Sequence, residues 1–277
     1  MKKLLLLFTL SAIIMLSLAA CGTSDEGGTS ENNSESSDTS GDTGEAASEY
    51  KLVKDGKFTF AASGEFRPFS MTSGGEMTGF DIDVANAVAD QLGLEPAQQK
   101  FKFAAIVEGV KTGRFDAAVA SHTITPERQK EVDFSTPYYY SGAQIFTRPD
   151  SDIKTLDDLK GKEVAVSKGS TYAKYAQEVT DKIKTYDSDV VALQSLSKGR
   201  HDAVITDFLT GKEAKGQGLD IEAKKMIERS EQAIAVAKGN DKLLEDINAA
   251  LKTLREDGTL AEISDKYFGE DITKKPE

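Results

Sequence analysis

GRFDAAVASHTITPERQKEVDFSTPYYYSG, residues Gly113 to Gly142, decides the fold. It reads as a short buried strand from Asp116 to Ala120, a loop, and then a helix start. Thr125 suits the N-cap, and Pro126 takes the first helical position, where its missing N–H costs nothing. Arg128 follows in the first turn. A strand end, a set of free backbone N–H groups and a guanidinium therefore converge on one small volume. That combination suits a carboxylate. On this stretch alone, an ion pair of Arg128 with Glu127 or Glu131 accounts for the arginine equally well.

Working outward, the pattern occurs twice. KTGRFDAAVASH (Lys111 to His122) aligns without gaps to SKGRHDAVITDF (Ser197 to Phe208). Each copy holds G-R-x-D-A and an apolar strand, and each follows an apolar-periodic helix. The first helix carries Ile106, Val107 and Val110, and the second carries Val191, Leu193 and Leu196. Two such units predict two similar α/β lobes. Ser121 falls opposite Asp207, each just past its strand. One lobe thus offers a carboxylate receptor around Ser121, Thr123 and Arg128, and the other offers an anion, Asp207. A ligand held between them is negative at one end and positive at the other. An α-amino acid is the simplest such molecule.

The first twenty residues read as an export signal, with Lys2 and Lys3 before the apolar run Leu4 to Leu18. They end in Leu18-Ala19-Ala20-Cys21, which looks like a lipobox whose cysteine receives a diacylglycerol anchor. An ordinary signal peptide with a chance cysteine is the alternative. Cys21 is the sole cysteine, which excludes intramolecular disulfides and cysteine-cluster metal sites. With only His122 and His201 as histidines, a zinc site of the usual kind is not expected either. Residues 21–49 are Gly, Ser, Thr, Asn, Asp and Glu with almost no apolar side chains, the composition of a flexible acidic tether. The formal charge of the whole chain is −12, and setting aside the two lysines of the leader and the eight acids that precede Tyr50 leaves −6. Nothing resembles the basic face that nucleic-acid binding requires.

The rest is long enough for two modest cores. Lys57 to Ala62 reads as the first strand, running into a loop with Phe66 and Phe69. Phe66 is expected on a pocket floor; Phe69 and Phe103 fit a pocket wall or the plain core. Gly79-Phe80-Asp81 opens a helix with Ile82, Val84, Ala85, Val88, Ala89 and Leu92 as its buried stripe and Gly93 as its stop. A helix signature lies within 151–162, with Thr155 as N-cap, Asp158 three residues on, and Leu156 and Leu159 facing inward. Lys168-Gly169-Ser170-Thr171-Tyr172 forms a second strand-to-helix turn that presents N–H groups and hydroxyls to an anion. It lacks the glycine and lysine spacing of a phosphate loop. Two apolar strands, 143–146 and 233–237, are expected to cross between the lobes. That places 50–142 with 238–277 in lobe 1 and 143–237 in lobe 2, with bending at the crossings.

These residues resemble the polar amino-acid-binding proteins of bacterial ABC importers, extracellular solute-binding family 3, nearest in feel to cystine and polar amino-acid binders. The likeness rests on F-x-P-F at Phe66 to Phe69, G-F-D-I-D at Gly79 to Asp83, T-I-T-P-E-R at Thr123 to Arg128, D-F-S-T-P-Y-Y at Asp133 to Tyr139, L-D-D-L-K-G-K at Leu156 to Lys162, and D-G-T-L at Asp257 to Leu260. It implies a type II periplasmic-binding-protein fold: two α/β lobes, two hinge strands and a ligand in the cleft. It further implies that Arg128 clamps the α-carboxylate with Ser121, Thr123 and Ser170 or Thr171, that Asp207 takes the α-ammonium, and that Phe66 and Phe103 pack on the ligand. Where several members have an acid near the end of the first strand, this chain has Ser63. That points away from lysine or arginine, toward a polar or sulfur-containing amino acid, cystine included. His122 fits either a ligand contact or a structural place. The implied partners are a membrane permease and the lipid bilayer, for a monomer without cofactor, metal or enzymatic activity. The alternatives are a cyclohexadienyl-dehydratase-like enzyme using Ser63 and His122, and a ligand-sensing domain.

Overall fold

The computed structural model describes residues 50–276. The leader at 1–20, Cys21 and the tether at 21–49 lie outside the described residues. The chain begins with β1 (Lys57–Ala62) and a small antiparallel sheet of β2 (Glu65–Phe66), β3 (Ser70–Ser73) and β4 (Glu76–Thr78). Next come α1 (Phe80–Gln91), β5 (Glu95–Lys100), α2 (Phe103–Lys111) and β6 (Ala117–Ala118). A single turn, α3 (Pro126–Gln129), and β7 (Val132–Phe134) lead into a long strand, β8 (Tyr139–Thr147). There follow β9 (Val164–Ser167), α4 (Tyr172–Gln177), β10 (Ile183–Tyr186), α5 (Asp189–Ser197), β11 (Ala203–Asp207) and α6 (Phe208–Gly216). A second long strand, β12 (Glu222–Gln232), returns to β13 (Ala235–Ala237), α7 (Asp241–Glu256) and α8 (Thr259–Phe268).

Two five-stranded sheets result, ordered β5-β1-β6-β13-β7 and β10-β9-β11-β8-β12. In each, three parallel strands are extended by two more, every added strand antiparallel to its neighbour. The molecule is therefore a two-lobed α/β protein. Side-chain alternation fills both faces of the second sheet: Val164, Val166, Ala203 and Ile205 point to one core, Ala165 and Val204 to the other. In the first lobe α7 and α8 supply Leu243, Ile247, Leu251, Leu254 and Leu260 to the core beside β1 and α1.

The connection between the lobes is β8 paired antiparallel with β12, from Thr147 opposite Glu222 to Tyr139 opposite Gln232. The register shifts between Ala223 and Glu228. A Cβ on Gly142 would lie 2.5 Å from the Glu228 carbonyl oxygen, so only glycine fits at this crossing.

Four expectations need correction. The second crossing is 222–232, not 233–237, because Ala235–Ala237 pairs with β6 and β7 in the first sheet; the boundary of lobe 2 moves back accordingly. The helix predicted within 151–162 is a single 3₁₀ turn, Asp157–Leu159. There the Asp158 carboxylate accepts from the N–H groups of Lys154 and Thr155 and from the Thr155 hydroxyl, closing the turn instead of opening a helix. The strand at 116–120 shortens to Ala117–Ala118. Val191, placed on the buried stripe of its helix, is 46% exposed, and Ala192, Leu193 and Leu196 make the buried face.

Candidate ligand-binding site

The two copies of the repeat build matching corners. Gly113 and Gly199 both take left-handed backbone after their helices, φ 71 and 73, where glycine alone is unstrained. Asp116 accepts from Thr59 N–H at 2.7 Å and Asp202 from Glu163 N–H at 2.8 Å, tying each loop to the neighbouring strand. Ser121 follows the first of these strands by three residues, and Asp207 ends the second. Both sheets thus aim the carboxyl ends of their parallel strands at one crevice, where ligands of open α/β sheets bind.

A small cavity lies in that crevice. Its walls include Ser63, Phe66, Phe103, Ser121, Thr123, Arg128, Ser170 and Thr171. Eight of the expected site residues therefore come together. His122 and Asp207 do not line the cavity. Five that the sequence reading missed do: Glu65, Ser167, Tyr172, Asp187 and Asp189.

Arg128 sits as expected. The Thr125 hydroxyl accepts from its backbone N–H at 3.2 Å, capping α3. Because α3 is one turn long, the guanidinium carries the positive charge and the helix dipole adds little. The side chain does not pair with Glu127 or Glu131; Glu131 is taken by Lys111 at 2.6 Å. Nη1 donates to Thr123 O at 2.8 Å and Nη2 donates across the crevice to Gly169 O at 3.2 Å. Burial pulls the group down to about 10, so it stays charged at neutral pH while poorly hydrated. Such a cation gains most from an anionic ligand.

Ser121 is held in an unusual shape. It is the one non-glycine residue with positive φ among the described residues, at 57°. Its Oγ donates to Asp81 Oδ2 at 2.8 Å and its N–H donates to the Tyr138 hydroxyl at 3.0 Å, which in turn donates to Asp81 Oδ1 at 2.6 Å. All three residues are buried. Burial pushes the Asp81 carboxyl up to about 7 against the pull of those two hydrogen bonds. The D of the G-F-D-I-D run is thus a brace for the cavity wall.

The anionic side differs from expectation. Asp207 is buried and caps α6, accepting from Leu209 N–H at 2.9 Å. Burial raises its carboxyl to about 7, with the Asp189 charge adding to the rise. Asp189, at the start of α5, reaches the cavity and accepts from the Thr206 hydroxyl at 2.6 Å. Burial raises it as well. Tyr172 stands among them: burial lifts its hydroxyl far above normal, the Asp207 and Asp189 charges lift it further, and Arg128 pulls it back. Neither acid has a cationic partner within 4 Å among the described residues.

Asp189 was legible in the repeat. The offset that carries Ser121 onto Asp207 also carries Phe103 onto Asp189, and the whole of Phe103–Lys111 onto Asp189–Ser197. Extending the alignment by one helix pairs the two residues at matching places on the cavity wall. His122 is corrected to a structural place: fully buried, with a pKa pressed well below the usual value by burial, its ring stacks behind Phe103 at 4.5 Å. Phe66 stacks on buried Phe69 at 4.9 Å, which settles Phe69 in the core.

The lobes touch at several points around the cavity. Besides the Arg128 contact, Ser188 Oγ donates to Glu65 O at 3.0 Å and Lys102 pairs with Asp187 at 3.4 Å. Gly169 packs so closely on Ala104 that a Cβ would lie 2.7 Å from its Cα.

Residues 58–270 match the family model of bacterial extracellular solute-binding proteins, family 3. The chain belongs to that family. Among family 3 relatives, the L-cystine-binding protein TcyJ of Escherichia coli K12 is 35% identical over 231 residues, covering 81% of this chain and 87% of TcyJ. The ABC transporter glutamine-binding protein GlnH of Bacillus subtilis 168 is 32% identical over 287 residues, covering 98% and 99%. A solved structure, an ancestral arginine-binding protein bound to glutamine, superposes with a TM-score of 0.74 at 38% identity over 78% of this chain and all of that one. As a family 3 protein the chain is an extracytoplasmic solute receptor of the amino-acid transport class, and no helix among the described residues is long and apolar enough to cross a membrane.

Proposed function

We propose that this protein is the lipid-anchored receptor of an ABC importer, closing on a polar or sulfur-containing L-amino acid, with cystine the first candidate, and delivering it to the permease. The observation that supports this reading is a desolvated guanidinium, Arg128, and a buried acid, Asp189, on the wall of one cavity, with buried Asp207 outside that wall. The α-carboxylate goes to Arg128 with Ser121, Thr123, Ser170 and Thr171. The α-ammonium goes to Asp189, with the Asp207 charge behind it. Phe66 and Phe103 pack against the rest. Closure is a population shift: the ligand touches both lobes only when they meet. The chain acts as a monomer, anchored through Cys21. An enzyme would need an acid–base group at the ligand; His122 is behind Phe103, and the Ser63 hydroxyl accepts from Glu65 N–H at 3.2 Å, so neither candidate favours catalysis.

A thermal-shift screen of the purified protein against the L-amino acids and cystine tests the reading. One or more zwitterions are expected to raise Tm. In Arg128→Ala the shift disappears, because leaving the opposed acids and the carboxylate unmatched costs about 3–5 kcal/mol, on the order of a hundredfold or more in Kd. A screen without hits, or hits that survive Arg128→Ala, sinks it.

A further inference from the structure

The cavity does not end at the amino-acid clamp. A second, solvent-open space adjoins it and shares Ser63, Glu65, Phe103 and Asp187 with it. Beyond the shared wall it is faced by Lys100, Lys102 and Lys168. We infer that this outer chamber receives the far head group of a two-headed ligand, one that carries a second carboxylate and a second ammonium. The inference rests on the amino-acid reading above and deepens it to a substrate class: diamino dicarboxylic acids joined by a short apolar or sulfur-containing spacer.

The chamber's charges carry the argument. Its three lysines face two carboxylates, so it holds both signs with one cation in excess. The two ion pairs present are long, Glu65 to Lys100 and Asp187 to Lys102 both at 3.4 Å, and each is at least two-fifths exposed. Pairs of that kind contribute little and exchange partners at little cost. An ammonium nitrogen has three donors and a carboxylate about four acceptor positions, so each pair keeps groups free for a ligand. Lys168 makes no ion pair among the described residues, and it is the chamber's excess cation. A carboxylate belongs beside it, and an ammonium belongs between Glu65 and Asp187.

The spacer has a place too. Phe103 faces both spaces, so a chain passing from the clamp to the chamber runs along its ring. A thioether or disulfide sulfur there gains from the aromatic edge. The chamber also takes residues from both lobes, Lys100 and Lys102 from one and Lys168 and Asp187 from the other. A second head therefore adds to closure instead of trailing in solvent.

Calorimetric titration of the full protein and of Lys168→Gln with four ligands decides the matter: two-headed L-cystine and L-cystathionine, and single-headed S-methyl-L-cysteine and L-methionine. The wild type is expected to bind the two-headed pair at least about tenfold more tightly, and Lys168→Gln to lose about that factor for them alone. Lys168 is exposed, so the variant folds. Equal affinity for both classes, or a Lys168→Gln loss that is absent or the same for all four, overturns the chamber while leaving the amino-acid receptor intact. Failure of every ligand to bind overturns both.

Discussion

The α2–β6 unit of one lobe and the α5–β11 unit of the other share helix length, corner, strand and aspartate tie, yet they present opposite chemistry. At matching addresses the first carries Phe103 and Ser121, the second Asp189 and Asp207. The frame is common, so the direction in which a zwitterion lies is set by two side chains per lobe. The first lobe keeps an acid as well, but one step back: Asp81 holds Ser121 through hydrogen bonds and does not face the ligand. The second lobe puts one acid, Asp189, on the cavity wall and buries the other, Asp207, outside it. On the proposed reading, a hydroxyl braced by an acid faces the anion's oxygens, and acids without a cationic partner face the cation.

That contrast is broken most directly by neutralising the second lobe's pair. Asp189→Asn and Asp207→Asn are each expected to weaken ligand binding by on the order of a hundredfold by calorimetry. Stability should move the other way. Burial without a cation raises Asp207 to about 7, so its ionised form is a load on the folded chain above that pH. An asparagine still caps α6 and carries no charge, and Tm of unliganded Asp207→Asn at pH 8 should exceed that of the wild type. Unchanged affinity in this variant would reduce Asp207 to a helix cap and strip the repeat of functional meaning.

Much of this was legible before any coordinates. The repeat located the corners, and β1, the Thr125 cap and the Arg128 position follow local rules that tertiary packing left alone. What was not legible has physical causes. β12, EAKKMIERSEQ, is an edge strand, and its residues, mostly polar and only half-buried or exposed until Gln232, carry no alternating apolar signal. The apolar 235–237 run drew the crossing to itself because a buried central strand shows the pattern that an edge strand lacks. Asp189 was missed because the repeat was aligned only from Lys111 and Ser197, one helix short of Phe103 and Asp189. His122 was ambiguous because a lone histidine says nothing of which side of a phenylalanine it occupies.

The acids of the two lobes also predict a pH dependence of opposite sense for stability and binding. For both Asp81 and Asp207 the folded pKa, about 7, exceeds the unfolded value of 3.8. The folded chain therefore holds protons that the unfolded chain releases between those values. Stability of the unliganded protein should be greatest on the acid side of this window and fall as pH rises through about 7. Ligand affinity should instead fall below about pH 7, by at most about tenfold per unit, because an ammonium needs its acid ionised. Titrations at pH 5.5, 6.5 and 7.5 read this directly, and Asp207→Asn should flatten the curve. A flat wild-type curve would mean that Asp207 stays ionised in the empty receptor.

The smallest effects compare the two caps. Thr125 caps the turn that carries Arg128, and Ser188 caps α5, which starts with Asp189. Either change to alanine removes one cap and should cost about 1 kcal/mol of stability. Ser188, however, also donates its hydroxyl across the crevice to Glu65 O at 3.0 Å. Thr125 makes no such contact and acts on the ligand only by steadying the turn beneath the guanidinium. In Thr125→Ala the ligand's dissociation rate should rise modestly while the protein's compactness without ligand stays the same. In Ser188→Ala the empty protein should open, seen as a larger radius of gyration by small-angle scattering, and the ligand should restore it. If both variants open equally, the lobes are held by α3 and α5 alike, and the hydroxyl contact between Ser188 and Glu65 adds nothing to closure.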